Sequence, residues 1–150
     1  MWTPRVVGGI TIDKVGPARV ASVSGKWYVL VIVDDVSRFS WVFFMEFKDE
    51  VFGFVRNLVL RLRNESHKAM TAIRSDNGGE FRNSQFKNFC RDLEHQFSSP
   101  YTPPQNGVVE RKNCTLVEME RTMLDEHTTP RRFLAEAVNT ACYITNRIFL

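Results

Sequence analysis

The sequence is short of the residues that staple small folds or bind soft metals. Only three cysteines occur, Cys90, Cys114 and Cys142, an odd number with no Cys-x-x-Cys pair. That pattern argues against a disulfide framework and against a zinc knuckle. The three histidines, His67, His95 and His127, are scattered without ligand spacing and read as surface or packing residues. No apolar run approaches the ~18 residues that a bilayer span needs; the longest, Trp27 to Val33, has the length of a strand. The first residues, Met1-Trp2-Thr3-Pro4-Arg5, lack the apolar core of a signal peptide. Net charge is only +3, too little to argue for a nucleic-acid partner by itself. Reduced thiols point to an intracellular protein.

What is present suits a compact fold. The chain has 150 residues, 43% of them hydrophobic, with 12 phenylalanines, enough for one domain with a sizeable core. No repeat, low-complexity tract or linker divides it, so residues 1–150 read as a single domain. Residues 9–15 alternate as a first strand, with Ile10 and Ile12 against Thr11 and Asp13, and Gly16-Pro17 breaks it. Trp27 to Val33 is apolar at every position and reads as a central strand buried on both faces. A tight polar turn over Asp34 to Arg38 joins it to an antiparallel strand, Phe39 to Phe47, with Phe39, Trp41, Phe43, Met45 and Phe47 on one side.

Beyond Asp49 the period changes to that of a helix, with Val51, Phe52, Val55, Leu58, Val59 and Leu62 on one face. A short strand over 69–75 leads to Asp76, and Asn77-Gly78-Gly79 turns the chain. A helix from Ser84 to about Leu93, a strand over 95–99 and a proline-rich loop, 99–107, follow. Asn106 caps a long helix running to about Glu126. Thr129-Pro130 opens the last helix, with threonine as cap and proline at the first helical position. This order predicts an α/β sandwich around a mixed sheet.

Three acids stand where chemistry is done in such folds. Asp13 lies on the polar phase of the first strand, Asp76 follows the fourth, and Glu110 sits in the first turn of the long helix. If strands one and four are neighbours, Asp13 and Asp76 come side by side. Carboxylates gathered in this way suit Mg²⁺, which takes hard oxygen ligands and retains positions for water and phosphate. Each acid also has an ordinary reading: a turn residue for Asp76, a helix N-terminal acid for Glu110, a surface residue for Asp13. Arg111, Lys112, Arg121, Arg131 and Arg132 fall in the last two helical segments, where a solvated helix face explains them as well as a polyanion does. Pattern alone leaves these alternatives open.

Several long blocks carry a family resemblance. They are Thr11-Ile12-Asp13-x-x-Gly16-Pro17, Val33-Asp34-Asp35-x-Ser37-Arg38-x-x-Trp41 and Arg74-Ser75-Asp76-Asn77-Gly78-Gly79-Glu80-Phe81. Ser99-Pro100-Tyr101-Thr102-Pro103-x-Gln105-Asn106-Gly107-Val108-Val109-Glu110-Arg111-Lys112-Asn113 and Asn139-Thr140-Ala141-Cys142-Tyr143-Ile144-x-Asn146-Arg147 complete the set. From about residue 9 onward the chain resembles the integrase catalytic core of copia-type long-terminal-repeat retrotransposons. The resemblance implies a ribonuclease H-like three-layer sandwich with a five-stranded mixed sheet. It implies a catalytic, metal-binding triad of Asp13, Asp76 and Glu110 holding Mg²⁺ or Mn²⁺, and DNA as partner. It further implies 3′-end processing of element DNA followed by strand transfer into target DNA. Water attacks in the first step and the freed 3′ hydroxyl attacks a target phosphodiester in the second. Gln105, Asn106, Arg111 and Lys112 would contact DNA. Asp34 and Asp35 match a family motif outside the triad and read as turn residues. A homodimer acting in the nucleus is the corresponding expectation.

The sequence departs from that pattern in places. A helix-ending glycine and an apolar residue that relatives carry before the fifth strand are missing around Asp92-Leu93-Glu94-His95. An even deletion keeps the facing of a strand, so the fold is expected to survive with a tighter active-site loop. Pro104 stands for a usual glutamine, Cys114 for an arginine and Leu134 for a tryptophan. No upstream His/Cys zinc module or downstream domain is in the sequence, which reads as a detached piece of a polyprotein. Two alternatives follow: a catalytically impaired DNA- or protein-binding remnant, and a ribonuclease H acting on hybrids. The Pro-Gln-Asn-Gly-x-x-Glu segment disfavours the second.

Overall fold

The computed structural model describes residues 9–15, 21–66, 72–75, 80–90, 94–97, 107–126 and 130–148, with the backbone alone at 66, 94–97, 107–110, 112, 113 and 120. The strands are β1 (Gly9–Val15), β2 (Tyr28–Asp34), β3 (Ser40–Met45), β4 (Ala72–Ser75) and β5 (Glu94–Phe97). The helices are α1 (Val51–Ser66), α2 (Ser84–Phe89), α3 (Gly107–Glu126) and α4 (Leu134–Ile148). The strands form one five-stranded sheet in the order β3-β2-β1-β4-β5. β1 and β2 pair antiparallel, as do β2 and β3, whereas β4 runs parallel to both β1 and β5. The element order and the mixed sheet are those expected from the sequence.

Both faces of the sheet are covered, which explains the unbroken apolar run of β2. Leu30 and Ile32 enter a core with Ile10, Ile12, Trp41, Met45, Ile73, Phe81 and Phe86, under Val51, Val55, Leu58, Val59 and Leu62 of α1. Val31 and Val33 point the other way, onto Leu116 of α3 and Ala141 and Cys142 of α4. Burying such side chains supplies about 1.5–3 kcal/mol each, so a strand shared by two cores is strongly held. α2 ends at Phe89 rather than near Leu93, and its cap is Asn83, whose side-chain oxygen accepts from the Phe86 N–H at 2.9 Å.

Several boundaries differ from the sequence expectation, and four of them have a local reason. Trp27 lies outside β2 and is 40% exposed. Asp34 is the last residue of β2 and fully buried rather than part of a solvated turn. Its carboxylate turns inward to accept the Ser37 N–H at 3.1 Å and the Ser37 hydroxyl at 2.5 Å, and Arg38 completes the turn in the left-handed region, φ 64°. Phe47 lies past β3 and is exposed; a 3-10 turn, Lys48–Glu50, precedes α1, and Glu50 Oε2 accepts the Glu46 and Phe47 N–H groups. Pro130 is the cap of the last helical segment rather than its first helical residue, because its ψ of 146° is extended, and a 3-10 turn, Arg131–Phe133, leads into α4. Asn106 and Thr129 lie outside the described residues.

Candidate active site

The site is laid out by strand alternation. Asp13 pairs with Val31 and Thr11 with Val33, and both valines belong to the core beneath α3 and α4. Side chains paired across an antiparallel ladder share a face, so Thr11 and Asp13 face the layer that contains α3. Asp13 is half-buried, and one of its carboxylate oxygens accepts the Lys14 N–H at 2.9 Å. Parallel β4 runs beside β1 with Gly9 opposite Ala72, Ile10 opposite Ile73 and Thr11 opposite Arg74. In open α/β sheets ligands collect outside the carboxyl ends of such strands.

Asp13 is the one triad residue whose side chain is described. Asp76 follows Ser75, the last residue of β4, and lies outside the described residues. Glu110 is the fourth residue of α3, and its side chain lies outside them too. The structure therefore sets Asp13 on the sheet face covered by α3, on a strand that β4 flanks in parallel. Among the described residues no group of three His, Cys, Asp or Glu could hold a metal ion, but two of the three expected ligands fall outside that set. Asp13 itself fits a divalent cation: it offers hard oxygen, is partly open to solvent, and keeps a carboxylate geometry fixed by a backbone N–H. Arg111 is exposed on α3. Gln105 and Asn106, and the side chain of Lys112, lie outside the described residues.

Two polar clusters around Asp13 were not singled out from the sequence. Asp35 is no simple turn residue. It accepts the Thr11 hydroxyl at 2.7 Å and an Arg74 N–H at 2.8 Å, and its own N–H donates to the Gly9 carbonyl at 3.1 Å. The carboxylate thus joins the Thr11–Arg74 rung, two residues before Asp13 on β1 and two before Asp76 in the chain. Gly9 is needed here, since a Cβ on it would stand 2.7 Å from the Ala72 carbonyl oxygen and 3.1 Å from Asp35 Oδ2. On the opposite face, the Lys14 ammonium lies 3.3 Å from Glu80 and 5.1 Å from the centre of the Tyr28 ring. The available signal was that Lys14 falls on the apolar phase of its strand, where a charge requires a partner.

A mixed sheet of this order, covered by helices on both faces, with an aspartate on its first strand beside a parallel fourth, is a ribonuclease H-like α/β sandwich. The model of the family described as "Integrase core domain" matches residues 5–103, and the chain belongs to that family. It is 39% identical over 137 residues to the retrovirus-related Pol polyprotein from transposon TNT 1-94 of Nicotiana tabacum, covering 90% of this chain and 10% of that protein. It is 30% identical over 139 residues to the Pol polyprotein from transposon RE2 of Arabidopsis thaliana, covering 91% of this chain and 9% of that one. The chain thus spans about a tenth of the length of these relatives, whose retrotransposon origin agrees with the copia-type resemblance. Among solved structures, it superposes on a chain of the simian T-cell lymphotropic virus intasome in complex with PP2A regulatory subunit B56 gamma. The TM-score is 0.73 at 18% identity, covering 95% of this chain and 50% of that one. The HTLV-2 integrase catalytic core domain in complex with magnesium (trimeric form) superposes with a TM-score of 0.64 at 22% identity, covering 93% and 85%. These two likenesses establish the shared fold.

Proposed function

We propose that the chain is the catalytic core of a retrotransposon integrase, in which Asp13, Asp76 and Glu110 hold Mg²⁺ or Mn²⁺ for 3′-end processing and strand transfer of element DNA. The observation that carries the reading is the parallel β1–β4 register, with Asp13 on the face covered by α3. That arrangement supports the reading, because it sets Asp13 beside the strand that leads to Asp76 and on the face covered by the helix that carries Glu110. A bound divalent cation would supply positive charge over the phosphodiester transition state and lower the pKa of the attacking water. The chain's own part is to hold: the Lys14 N–H fixes one oxygen of Asp13, and the strand fixes its direction. Gln105, Asn106, Arg111 and Lys112 are assigned to the DNA backbone, where amides and cations set register without reading sequence. The reading also takes residues 1–150 as one catalytic core, acting as a homodimer on chromosomal DNA in the nucleus.

The test is a disintegration assay with Mn²⁺ on a branched DNA substrate, comparing the parent chain with Asp76→Asn. The parent is expected to release the cleaved strand, and the variant to lose at least about a hundredfold of that rate, since a metal ligand has been removed. Metal-dependent cleavage that persists undiminished in Asp76→Asn would refute the assignment.

A further inference from the structure

Lys14 is out of keeping with its own strand. Ile10 and Ile12 point into the core under α1, and by alternation Lys14 follows them. Its side chain and that of Glu80 are only 12% and 14% exposed. Two charges withdrawn that far from water yield little net stability, because desolvation offsets their attraction, and apolar residues of similar volume often do as well. Stability is therefore a poor account of this pair. Its location supplies a better one.

Lys14 directly follows Asp13 and donates its backbone N–H to that carboxylate. Glu80 precedes Phe81, which is 1% exposed and anchored in the same core. The stretch carrying Asp76 therefore leaves from Ser75 on β4, which is paired to β1 up to the Thr11–Arg74 rung, and returns to β1 at the Lys14–Glu80 contact. Both ends are fastened to the strand that bears Asp13. Tyr28, with the Lys14 ammonium over its ring, holds the lysine from the β2 side.

We propose that Lys14 and Glu80 are positioning residues that set the separation between the carboxylates of Asp13 and Asp76, and through it the affinity for a divalent cation. This rests on the integrase reading above. Neither residue is assigned to the cation or to DNA; each acts through the chain segment that it anchors.

The decisive variant is Lys14→Met with Glu80→Met, which removes both charges together and leaves no orphan. Its unfolding is expected to remain cooperative with a melting temperature near the parent's. Its dissociation constant for Mg²⁺ and Mn²⁺, by calorimetry and Mn²⁺ electron paramagnetic resonance, is expected to rise about tenfold. The exchange Lys14→Glu with Glu80→Lys is expected to restore part of that loss, which a general structural defect would not allow. Asp76→Asn is the control. If the parent binds no metal, or binds it equally well without Asp76, the integrase site fails and this proposal falls with it. If the parent binds metal through Asp76 and the double methionine variant binds it equally tightly, the positioning role alone is overturned. If the methionine variant does not fold, the charge exchange decides: restored affinity supports the role, and weak binding by a folded exchange variant overturns it.

Discussion

Three cysteines in one small chain acquire different chemistry from their surroundings. Cys114 is exposed on α3, whereas Cys90 and Cys142 are buried. Burial pushes the Cys90 thiol above its ordinary value of 9.0, against a weaker opposing pull from Arg63. Cys142 donates its thiol to the Ser40 carbonyl at 3.4 Å. Reactivity follows the thiolate and its access, so titration of the native chain with a disulfide reagent is expected to show one fast thiol, Cys114, and all three once the chain is denatured. Cys114→Ser removes the fast phase; a fast phase that remains sinks the assignment. The pH dependence has a definite sign. Above the ordinary thiol value the unfolded chain releases a proton that native Cys90 retains. Its contribution to stability is thus complete at lower pH and is lost as pH rises through the native value. Cys90→Ala is expected to flatten that alkaline slope in urea unfolding. Neighbouring residues differ as sharply at Asp34 and Asp35. Both read as turn acids in the sequence, yet one is buried under Ser37 and the other ties β1 to β4. Nothing in a two-residue acidic motif reveals which side chain turns inward, because the answer lies in Thr11 and Arg74, far away along the chain.

Among the elements, β3 is one of the two edge strands of the sheet. An edge strand presents unpaired N–H and C=O groups that invite other chains. Asn146 of α4 covers one of its outer peptides as a neighbouring strand would. Its Oδ1 accepts the Ser40 N–H at 2.9 Å and its Nδ2 donates to the Ser40 carbonyl at 2.8 Å. Ser40 is 1% exposed, so replacing Asn146 by leucine leaves its buried N–H unmet and its carbonyl with the Cys142 thiol, at a cost of about 1–3 kcal/mol. The urea midpoint of Asn146→Leu is expected to fall accordingly, and light scattering on heating to begin earlier. Asn146→Asp, which keeps only the acceptor, is expected to lie between. A leucine variant as stable as the parent would show that the amide does not secure the edge. The strands and long helices themselves were legible from periodicity, since Val51, Val55, Leu58 and Leu62 or Leu30 and Val31 declare their faces. Asn146 was not, because an asparagine near the end of an amphipathic helix looks like a solvated residue until β3 is placed beside it.

At the scale of the molecule, sequence patterning was enough for the layers but not for the site. The acids were visible as candidates, whereas the ion pairs that flank Asp13, Lys14 with Glu80 and Asp35 with Arg74, join segments far apart in the chain and appear only in the folded sheet. β4 and β5 share four consecutive pairs, Ala72–Glu94 to Ser75–Phe97. The chain closes on itself at the other end. Ala141 and Cys142 cover Val31 and Val33, and Asn146 reaches Ser40 across 106 residues of sequence. One face of β2 therefore needs α4 as well as α3 for its cover, and the whole is expected to unfold as a unit. Melting followed by far-ultraviolet circular dichroism and by tryptophan fluorescence should give one coincident transition. A chain stopped before Leu134 should lose that cooperative transition, because both the α4 share of the second core and the cover of the β3 edge are removed together. If the shortened chain still melts cooperatively, or if the two probes separate in the full chain, α4 is an accessory to an independently stable sheet, and the single-core description is wrong.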